Sequence, residues 1–445
     1  MLAAHTPALR RLFGPGLDAF VAAWGRDALL ASAAMREAGD LGDLFGPDAV
    51  DELIARRGLR TPFLRVARDG ATLPESAFTA GGGVGAGVTD QISDDKVRRL
   101  LDGGATVVLQ GLHRTWTPIA DFSAALAEEL GHPVQVNAYV TPAASQGFAA
   151  HYDVHDVFVV QVHGTKRWVV HEPVLVNPLR SQTWDARAGQ VEAAASGTPL
   201  LEADLAPGDV LYLPRGFVHS ARALGGLTIH LTIGVHAWTQ RHLAEAYLDA
   251  VRLALDEDEG SRGALALGID VGDPAQLRLD AAAAREAVET ALAGVRPDDL
   301  AAALAGQARG SQRAGALGPI ATLTSADALG LAPDAVLRLR PQVLASLSDA
   351  PDGHLIVKSR AGRLTLAGDL RPVVERLIAG EPVPASEFGD AARTLVVEGL
   401  AIVERQMRER TIRPGEDELF KSRARERGSV KIIDLVMARL DSKTD

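Results

Sequence analysis

Two histidines and one aspartate have the spacing of a metal site. His151 and Asp153 are two positions apart, and residues i and i+2 of an extended strand lie on the same face, so both side chains can reach one ion. A third ligand then has to come from a different strand, and His219 follows a Pro-Gly-Asp turn and a strand-like run. Two imidazoles and one carboxylate are the ligand set of non-haem Fe(II) centres that keep positions open. The spacing therefore predicts an Fe(II) site.

A lysine follows the His-Asp pair at Lys166, where its ammonium group would hold the carboxylate of a cosubstrate. Together with the predicted iron site, this favours an oxygenase that uses 2-oxoglutarate. A His-x-Asp triplet also arises by chance roughly once in a chain of this length, and its residues would then be surface or core side chains. The context favours the metal, because the triplet precedes a strand-like run, 156–163, that ends at Gly164.

Further polar residues are predicted to face the same pocket. The strand 134–141 places Asn137 and Tyr139 on one face, where a bound carboxylate would satisfy their polar groups. His230 is interpreted as a pocket residue that supports the site, since the ligand set is complete without it. Arg215 is expected to orient a carboxylate, with Asp153 and Asp209 as the candidates.

Composition limits the class of protein. The chain has 445 residues, 47% hydrophobic and 23% charged, which indicates a globular protein of two or three domains. Its apolar stretches are too short to cross a bilayer, and its first residues lack the pattern of a secretory signal, so a cytoplasmic location is expected. The absence of cysteine excludes disulfides and thiolate metal sites. A net charge of −11 makes direct nucleic-acid binding unfavourable and is compatible with a basic protein partner.

The sequence pattern changes along the chain and predicts an α+β protein. Many short strands between about 61 and 238 predict a small β-barrel, with the double-stranded β-helix (cupin, jelly-roll) as the preferred architecture. The glycine-rich stretch 81–87 lacks the residues of a phosphate-binding loop and is interpreted as a loop. The predicted segments are 1–60 (helical), 61–238 (barrel), 239–334 (amphipathic helices), 335–404 (a winged-helix-like mixture of helices and strands) and 405–445 (a charged tail).

The motifs around these residues resemble those of the JmjC-type ribosomal oxygenases, a cupin family that includes bacterial ribosomal-protein arginine hydroxylases and nucleolar histidine hydroxylases. The similar motifs are His151-Tyr-Asp153, Asp156-Val-Phe-Val-Val-Gln161, Gly164-Thr-Lys-Arg-Trp168, Pro207–Gly216 and His219. The resemblance implies a catalytic barrel, a helical dimerisation segment and a C-terminal winged-helix-like domain. It is close over 137–234 and looser beyond.

Carried over by position, the resemblance implies Fe(II) at His151, Asp153 and His219. It implies that Lys166 pairs with the distal carboxylate of 2-oxoglutarate. It also implies that Asn137, Tyr139 and Thr228 contribute to the cosubstrate pocket. The loop 81–87 and the tail 405–445 have no counterpart in the family pattern.

The predicted reaction is hydroxylation of a protein side chain, with a basic ribosomal protein as a candidate substrate and a homodimer as the expected assembly. Three alternatives fit some of the same residues: a hydroxylase of a peptide or small natural product, a non-oxidative cupin, and a catalytically silent binding or regulatory protein. The sequence does not identify the hydroxylated residue or its carbon atom.

Overall fold

The protein divides into two compact units, Met1–Gln312 and Arg313–Asp445, which are described separately. The structure is a computed structural model that describes residues 6–35, 41–68, 70–143, 149–332 and 334–404. The predicted charged tail, 405–445, lies outside the described residues. Among those described, no helix is both long enough and apolar enough to cross a membrane.

The first unit contains a large antiparallel sheet, with helices before, between and after its strands along the chain. Its strands are β1 Leu29–Ala31, β2 Leu64–Arg68, β3 Ala71–Thr72, β4 Thr79–Ala80, β5 Gln91–Ile92, β6 Thr106–Leu109, β7 Val134–Thr141, β8 Asp156–Pro173, β9 Leu201–Leu205, β10 Val210–Leu213 and β11 Phe217–Val235. Its helices are α1 Pro7–Phe13, α2 Leu17–Ala23, α3 Pro47–Arg56, α4 Asp94–Asp102, α5 Leu112–Thr115, α6 Thr117–Leu130, α7 Ala188–Ala195, α8 Gln240–Glu257, α9 Glu259–Arg262, α10 Arg278–Gly294 and α11 Pro297–Ser311.

Two long strands organise this sheet. Its order is β1-β10-β8-β11-β7-β6-β2-β3, and β9 pairs with the second half of β8. The sequence pattern predicts four short strands here, 155–163, 166–170, 217–223 and 226–234. This was wrong, because β8 and β11 are single strands of 18 and 19 residues. The pairing continues because Gly164 adopts a positive φ of 64° and the register shifts between Leu224 and Ile229.

The alternation of side chains on β7 separates the core from the pocket. Val134, Val136, Ala138 and Val140 point into the main hydrophobic core, which the N-terminal helices and α6 complete. Tyr139 and Thr141 lie on the opposite face, as the period of two requires. The strand has the predicted limits, 134–141. Its face that carries Tyr139 and Thr141 points away from the core and can contact a ligand.

The second unit has its own core. Its helices are α12 Pro319–Ala328, α13 Arg371–Ile378 and α14 Ala391–Val397, and its strands are β12 Val336–Leu339, β13 Ser346–Asp349, β14 Leu355–Ser359, β15 Gly362–Leu366, β16 Val383–Pro384 and β17 Ala401–Val403. Two three-stranded sheets form, β16-β12-β17 and β13-β14-β15. The boundary between the units falls inside the predicted segment 239–334, because α12 contributes Ala326 to this second core. The five predicted domain ranges, the winged-helix-like assignment and the dimerisation role stay predictions.

Candidate metal centre

The structure brings His151, Asp153 and His219 together. One donor atom from each side chain lies within 4.8 Å of the other two. The Nε2 atom of His219 is 3.8 Å from Oδ2 of Asp153, and the two imidazole centroids are 4.6 Å apart. The backbones of the two histidines also bond to each other, with His151 N–H donating to His219 O at 3.1 Å and His219 N–H donating back at 2.8 Å. The backbone segments that carry the two histidines are therefore bonded directly to each other.

Backbone carbonyls orient both imidazoles. Nδ1 of His151 is 2.7 Å from the carbonyl oxygen of Ala149, and Nδ1 of His219 is 3.0 Å from that of Phe217. A carbonyl oxygen can only accept a hydrogen bond, so each Nδ1 carries the proton. Each Nε2 then presents a lone pair to the centre, which is the usual arrangement of a metal-bound histidine.

The charge states of the three side chains suit a divalent cation. The pKa of Asp153 is held below its ordinary value. Burial alone would raise that pKa, and the nearby imidazoles of His155, His219 and His151 lower it by more. Burial lowers the pKa of His219, and the adjacent His151 adds to the shift. At neutral pH the centre thus offers a carboxylate and a neutral imidazole, the forms that bind metal.

A cavity opens beside these ligands and holds about 520 Å³ of empty space, part of it open to solvent. It is lined by Thr106, Tyr139, His151, Asp153, Val157, Val159, Lys166, Trp168, His219, Ala221, His230 and Thr232. The cavity thus has polar side chains and an apolar wall next to the candidate metal ligands, as expected of a pocket that orients a small polar ligand.

Lys166 is the buried cation of this cavity, with 3% of its surface exposed. Its Nζ donates to Oγ1 of Thr141 at 3.2 Å and lies 3.5 Å from Nδ1 of His230. Within the described ranges this ammonium forms no ion pair, and burial lowers its pKa to about 7. An unpaired buried cation is unfavourable unless an anion joins it, so the pocket is suited to a carboxylate.

Replacing Lys166 by methionine is expected to stabilise the ligand-free protein. A lysine with a lowered pKa opposes folding at any pH below that lowered value, and the penalty disappears as pH rises toward the ordinary pKa. The gain should be on the order of 3 to 5 kcal/mol near pH 6 and close to zero near pH 10, as measured by urea unfolding. The matched control, the exposed Lys358→Met, should leave stability unchanged. Equal or lower stability of Lys166→Met at pH 6 would show that the lysine supports the fold.

The other predicted pocket residues are placed less uniformly. Tyr139 lines the cavity and stacks on His230, with centroids 4.9 Å apart. Asn137 and Thr228 are not among the lining residues. Oδ1 of Asn137 accepts the backbone N–H of Gly111 at 3.1 Å, and the buried Thr228 hydroxyl donates to the Thr141 carbonyl at 3.4 Å. Their roles in cosubstrate binding stay predictions.

Sequence reasoning missed part of the lysine pocket. The sequence pattern places Thr141 on the same face as Tyr139 without assigning it to the site, and it does not indicate Thr106. The two hydroxyls are 3.3 Å apart, and that of Thr141 accepts from Lys166. The alternation along β7 could have identified Thr141, whereas Thr106 comes from β6 and needs the strand pairing.

Arg215 orients neither of the two carboxylates that the sequence suggested. Its backbone N–H and its Nη1 both donate to Oδ1 of Asp156, at 2.9 and 3.4 Å. Asp209 instead accepts backbone N–H groups of Ala33 and Ala206, each at 2.8 Å. The prediction failed because Asp156 begins β8 beside the end of β10, a pairing that spacing alone does not reveal.

Two family models match the chain. The JmjC domain matches residues 113–243, which include all three candidate ligands and Lys166. The N-terminal part of the BREX system Lon protease-like protein BrxL matches residues 389–445, most of which lie outside the described ranges.

Several curated relatives match part of the chain. Ribosomal oxygenase 1 of Homo sapiens is 38% identical over 136 residues, which are 30% of this chain and 20% of the human protein. The bifunctional lysine-specific demethylase and histidyl-hydroxylase NO66 of Culex quinquefasciatus is 40% identical over 116 residues, 25% of this chain and 17% of that protein. The chain spans about a fifth of the length of the curated relatives it matches.

The fold is similar to that of the ribosomal oxygenase YcfD of Escherichia coli. One crystal structure has a TM-score of 0.51 and 18% identity and covers 91% of this chain and 99% of that chain. Another, in complex with cobalt and succinic acid, has a TM-score of 0.50 and 18% identity and covers 87% and 98%. The predicted resemblance to JmjC-type ribosomal oxygenases and the predicted cupin-type fold are confirmed.

Proposed function

We propose that this chain, whose central segment is a JmjC domain, is an Fe(II)- and 2-oxoglutarate-dependent oxygenase that hydroxylates a protein side chain. The observation that carries the proposal is the pairing of a two-histidine, one-carboxylate centre with a buried lysine in one cavity. A non-oxidative cupin does not require a buried lysine in the same cavity as its metal ligands. The relatives named ribosomal oxygenase and histidyl-hydroxylase support the same reaction class.

The donor set fits iron. His151, Asp153 and His219 would occupy one face of the ion and leave the remaining positions for a cosubstrate and dioxygen. Bound Fe(II) supplies an oxidation in which one oxygen atom of O2 enters a substrate C–H bond and the other converts 2-oxoglutarate to succinate and CO2. The E. coli protein of similar fold has been solved with cobalt and succinic acid. These are a transition metal and a dicarboxylate, as are the Fe(II) and 2-oxoglutarate proposed for this chain.

The remaining cavity residues position the cosubstrate and exclude water. Lys166 would bind the distal carboxylate, with the Thr141 hydroxyl bonded to the same ammonium and the Thr106 hydroxyl bonded to that of Thr141. Val157 and Val159 make part of the wall apolar, which limits the access of water to the oxidant. These side chains contribute binding and orientation, and no proton transfer by them is required.

The proposed substrate is a basic protein, with a ribosomal protein as the first candidate. The human and insect relatives are named for ribosomal and histidyl substrates, and this chain carries a net charge of −11. Opposite net charges accelerate the encounter of two proteins and would favour a basic partner. The predicted cytoplasmic location stays a prediction.

The first experiment is anaerobic addition of Fe(II) and 2-oxoglutarate to metal-free protein, with the visible metal-to-ligand charge-transfer band as the readout. The band is expected in the wild-type protein, followed in air by succinate formation that ribosomal proteins stimulate. Iron binding without the band would indicate a non-oxidative cupin. Failure to bind iron would mean that the histidines are structural.

The proposed assembly is a homodimer formed through the helical segment. Helices α10 and α11 both pack against α8, yet large apolar side chains remain exposed, among them Leu248 (66%), Leu253 (58%) and Leu279 (82%). Large exposed apolar side chains favour association where they form one patch. Leu248→Asp combined with Leu279→Asp is expected to give a monomer in sedimentation velocity, whereas Val84→Asp in the glycine-rich loop should not. A wild-type monomer at micromolar concentration would exclude the dimer.

For the second unit we infer a winged-helix-like arrangement, in which α12 packs against α14 and the hairpin β14-β15 takes the place of a wing. Between residues 313 and 404 there are 11 acidic and nine basic residues, so this described part of the unit has no net positive charge that would favour nucleic acid. Recognition of a protein partner is the more suitable role.

A further inference from the structure

A buried carboxylate that the proposed chemistry does not use lies behind the metal centre. Asp156 is 1% exposed. Its Oδ1 accepts the backbone N–H of Arg215 at 2.9 Å and that residue's Nη1 at 3.4 Å, and its Oδ2 accepts the Tyr212 hydroxyl at 3.4 Å. A buried carboxylate with this many donors is stable and holds its partners in fixed positions.

The partners of Asp156 lie on β10 and in the turn that leads from it to the third candidate ligand. Arg215 precedes His219 by four residues, and Asp156 follows Asp153 by three. In the same turn, the backbone N–H of Gly216 donates to the carbonyl oxygen of Asp153 at 3.0 Å. Gly216 has a φ of 94°, and a Cβ there would meet the Leu175 carbonyl oxygen at 2.2 Å. The hydrogen bonds of Arg215 to Asp156 and of Gly216 to Asp153 therefore hold the turn in one conformation.

These bonds join the three ligand segments into one unit. His151 is bonded to the backbone of His219, the segment of Asp153 is bonded to Gly216, and Asp156 is the buried anion that fixes the turn between β10 and β11. We propose that Asp156 is a positioning residue, which sets the distance between the carboxylate ligand and the His219 imidazole through the backbone N–H of Arg215. This inference rests on the proposed metal site.

The same carboxylate connects the centre to the N-terminal helices. The Tyr212 hydroxyl that donates to Asp156 also accepts the backbone N–H of Gly25 at 2.8 Å. Trp24 stacks on Tyr212, with centroids 5.6 Å apart and an interplanar angle of 14°. The segment that follows α2 thus supports the metal ligands, although it contributes none of them.

The test is Co(II) titration of metal-free protein, read from the visible d–d spectrum, which reports ligand geometry without turnover. Asp156→Ala removes the acceptor and is expected to weaken Co(II) binding at least about tenfold and to alter the spectrum, the size of effect that loss of a supporting contact has at metal sites. Asp156→Asn keeps an oxygen that can accept the Arg215 N–H, and should restore the affinity to within about threefold of wild type.

Asp209→Ala is the matched control. Asp209 also accepts backbone N–H groups, including one from the N-terminal segment, and it lies at the other end of β10. The Asp209→Ala variant should have a lower free energy of unfolding and an unchanged Co(II) spectrum and affinity. A spectrum and affinity of Asp156→Ala equal to those of Asp209→Ala, or an Asp156→Asn protein as weak as Asp156→Ala, would overturn the inference.

Two further results separate the possible failures. If Asp156→Ala does not fold, Asp156→Ser replaces it, because its shorter side chain also leaves the Arg215 N–H without its acceptor; a loss of Co(II) affinity of about tenfold is expected, and wild-type affinity would contradict the inference. If the wild-type protein itself binds no Co(II), the proposed function fails and the inference fails with it. If the wild-type protein binds Co(II) normally and the Asp156 variants match it, the inference alone fails.

Discussion

Replacing Asp153 by alanine is expected to abolish succinate formation, with a loss well above about a hundredfold, the upper end of what a supporting contact contributes at a metal site. Asp153 is the negatively charged member of the ligand set, and its pKa is lowered, so it is ionised across the neutral range. Without it, two neutral imidazoles would have to hold a doubly charged ion. The measurement is succinate release under saturating Fe(II), 2-oxoglutarate and O2.

The control for this variant is Asp185→Ala, an exposed aspartate next to Trp184, whose ring lies 6.3 Å from that of His151. It tests whether loss of any negative charge near the centre lowers activity. Both variants should retain the circular dichroism of the wild-type protein, because Asp153 forms part of the cavity wall and not of the hydrophobic core. More than a tenth of wild-type activity in Asp153→Ala would contradict the ligand assignment.

The second large effect is expected on 2-oxoglutarate binding in Lys166→Met. A carboxylate brought to this buried position without its cation loses about 3 kcal/mol or more, which corresponds to roughly a hundredfold weaker binding. The measurement is anaerobic titration of the Fe(II) protein with 2-oxoglutarate, read from the charge-transfer band. Lys358→Met, in the second unit, should bind like the wild-type protein.

The affinity of the wild-type protein should also depend on pH. In the absence of cosubstrate the pKa of Lys166 is about 7, and the carboxylate binds the ammonium form. Above pH 7, binding must therefore take up a proton, and the affinity should fall by about tenfold per pH unit, whereas below pH 7 the lysine contributes no slope. Lys166→Met should lack this slope above pH 7. An affinity that is constant from pH 7 to 9 in the wild-type protein would show that the lysine does not meet the carboxylate.

The sequence was sufficient where chemistry and local periodicity coincide. The limits of β7 and the convergence of His151, Asp153 and His219 followed from the period of two and from the ligand requirements of iron. The continuity of β8 and β11 did not, because it depends on a bulge and on the left-handed conformation of Gly164. A glycine between two short strand-like runs normally indicates a turn at which the first strand ends.

The supporting residues were less predictable than the ligands. Thr106 lies on β6 and Asp156 begins β8, and the spacing of residues carries no information about which strands are neighbours. The expected partner of Arg215 was wrong for the same reason. Asn137 was assigned through its strand face, yet its side chain bonds to Gly111.

The β8–β11 ladder also determines when the centre can form during folding. It pairs Pro173 with Phe217, 44 positions apart, and Asp156 with Val235, 79 positions apart. Ladders between such distant segments form slowly, since the loop between them must close first. His219 enters the site through this ladder, so a nascent or partly unfolded chain presents His151 and Asp153 without their third partner. A metal site built from these three residues would therefore be complete only in the finished fold.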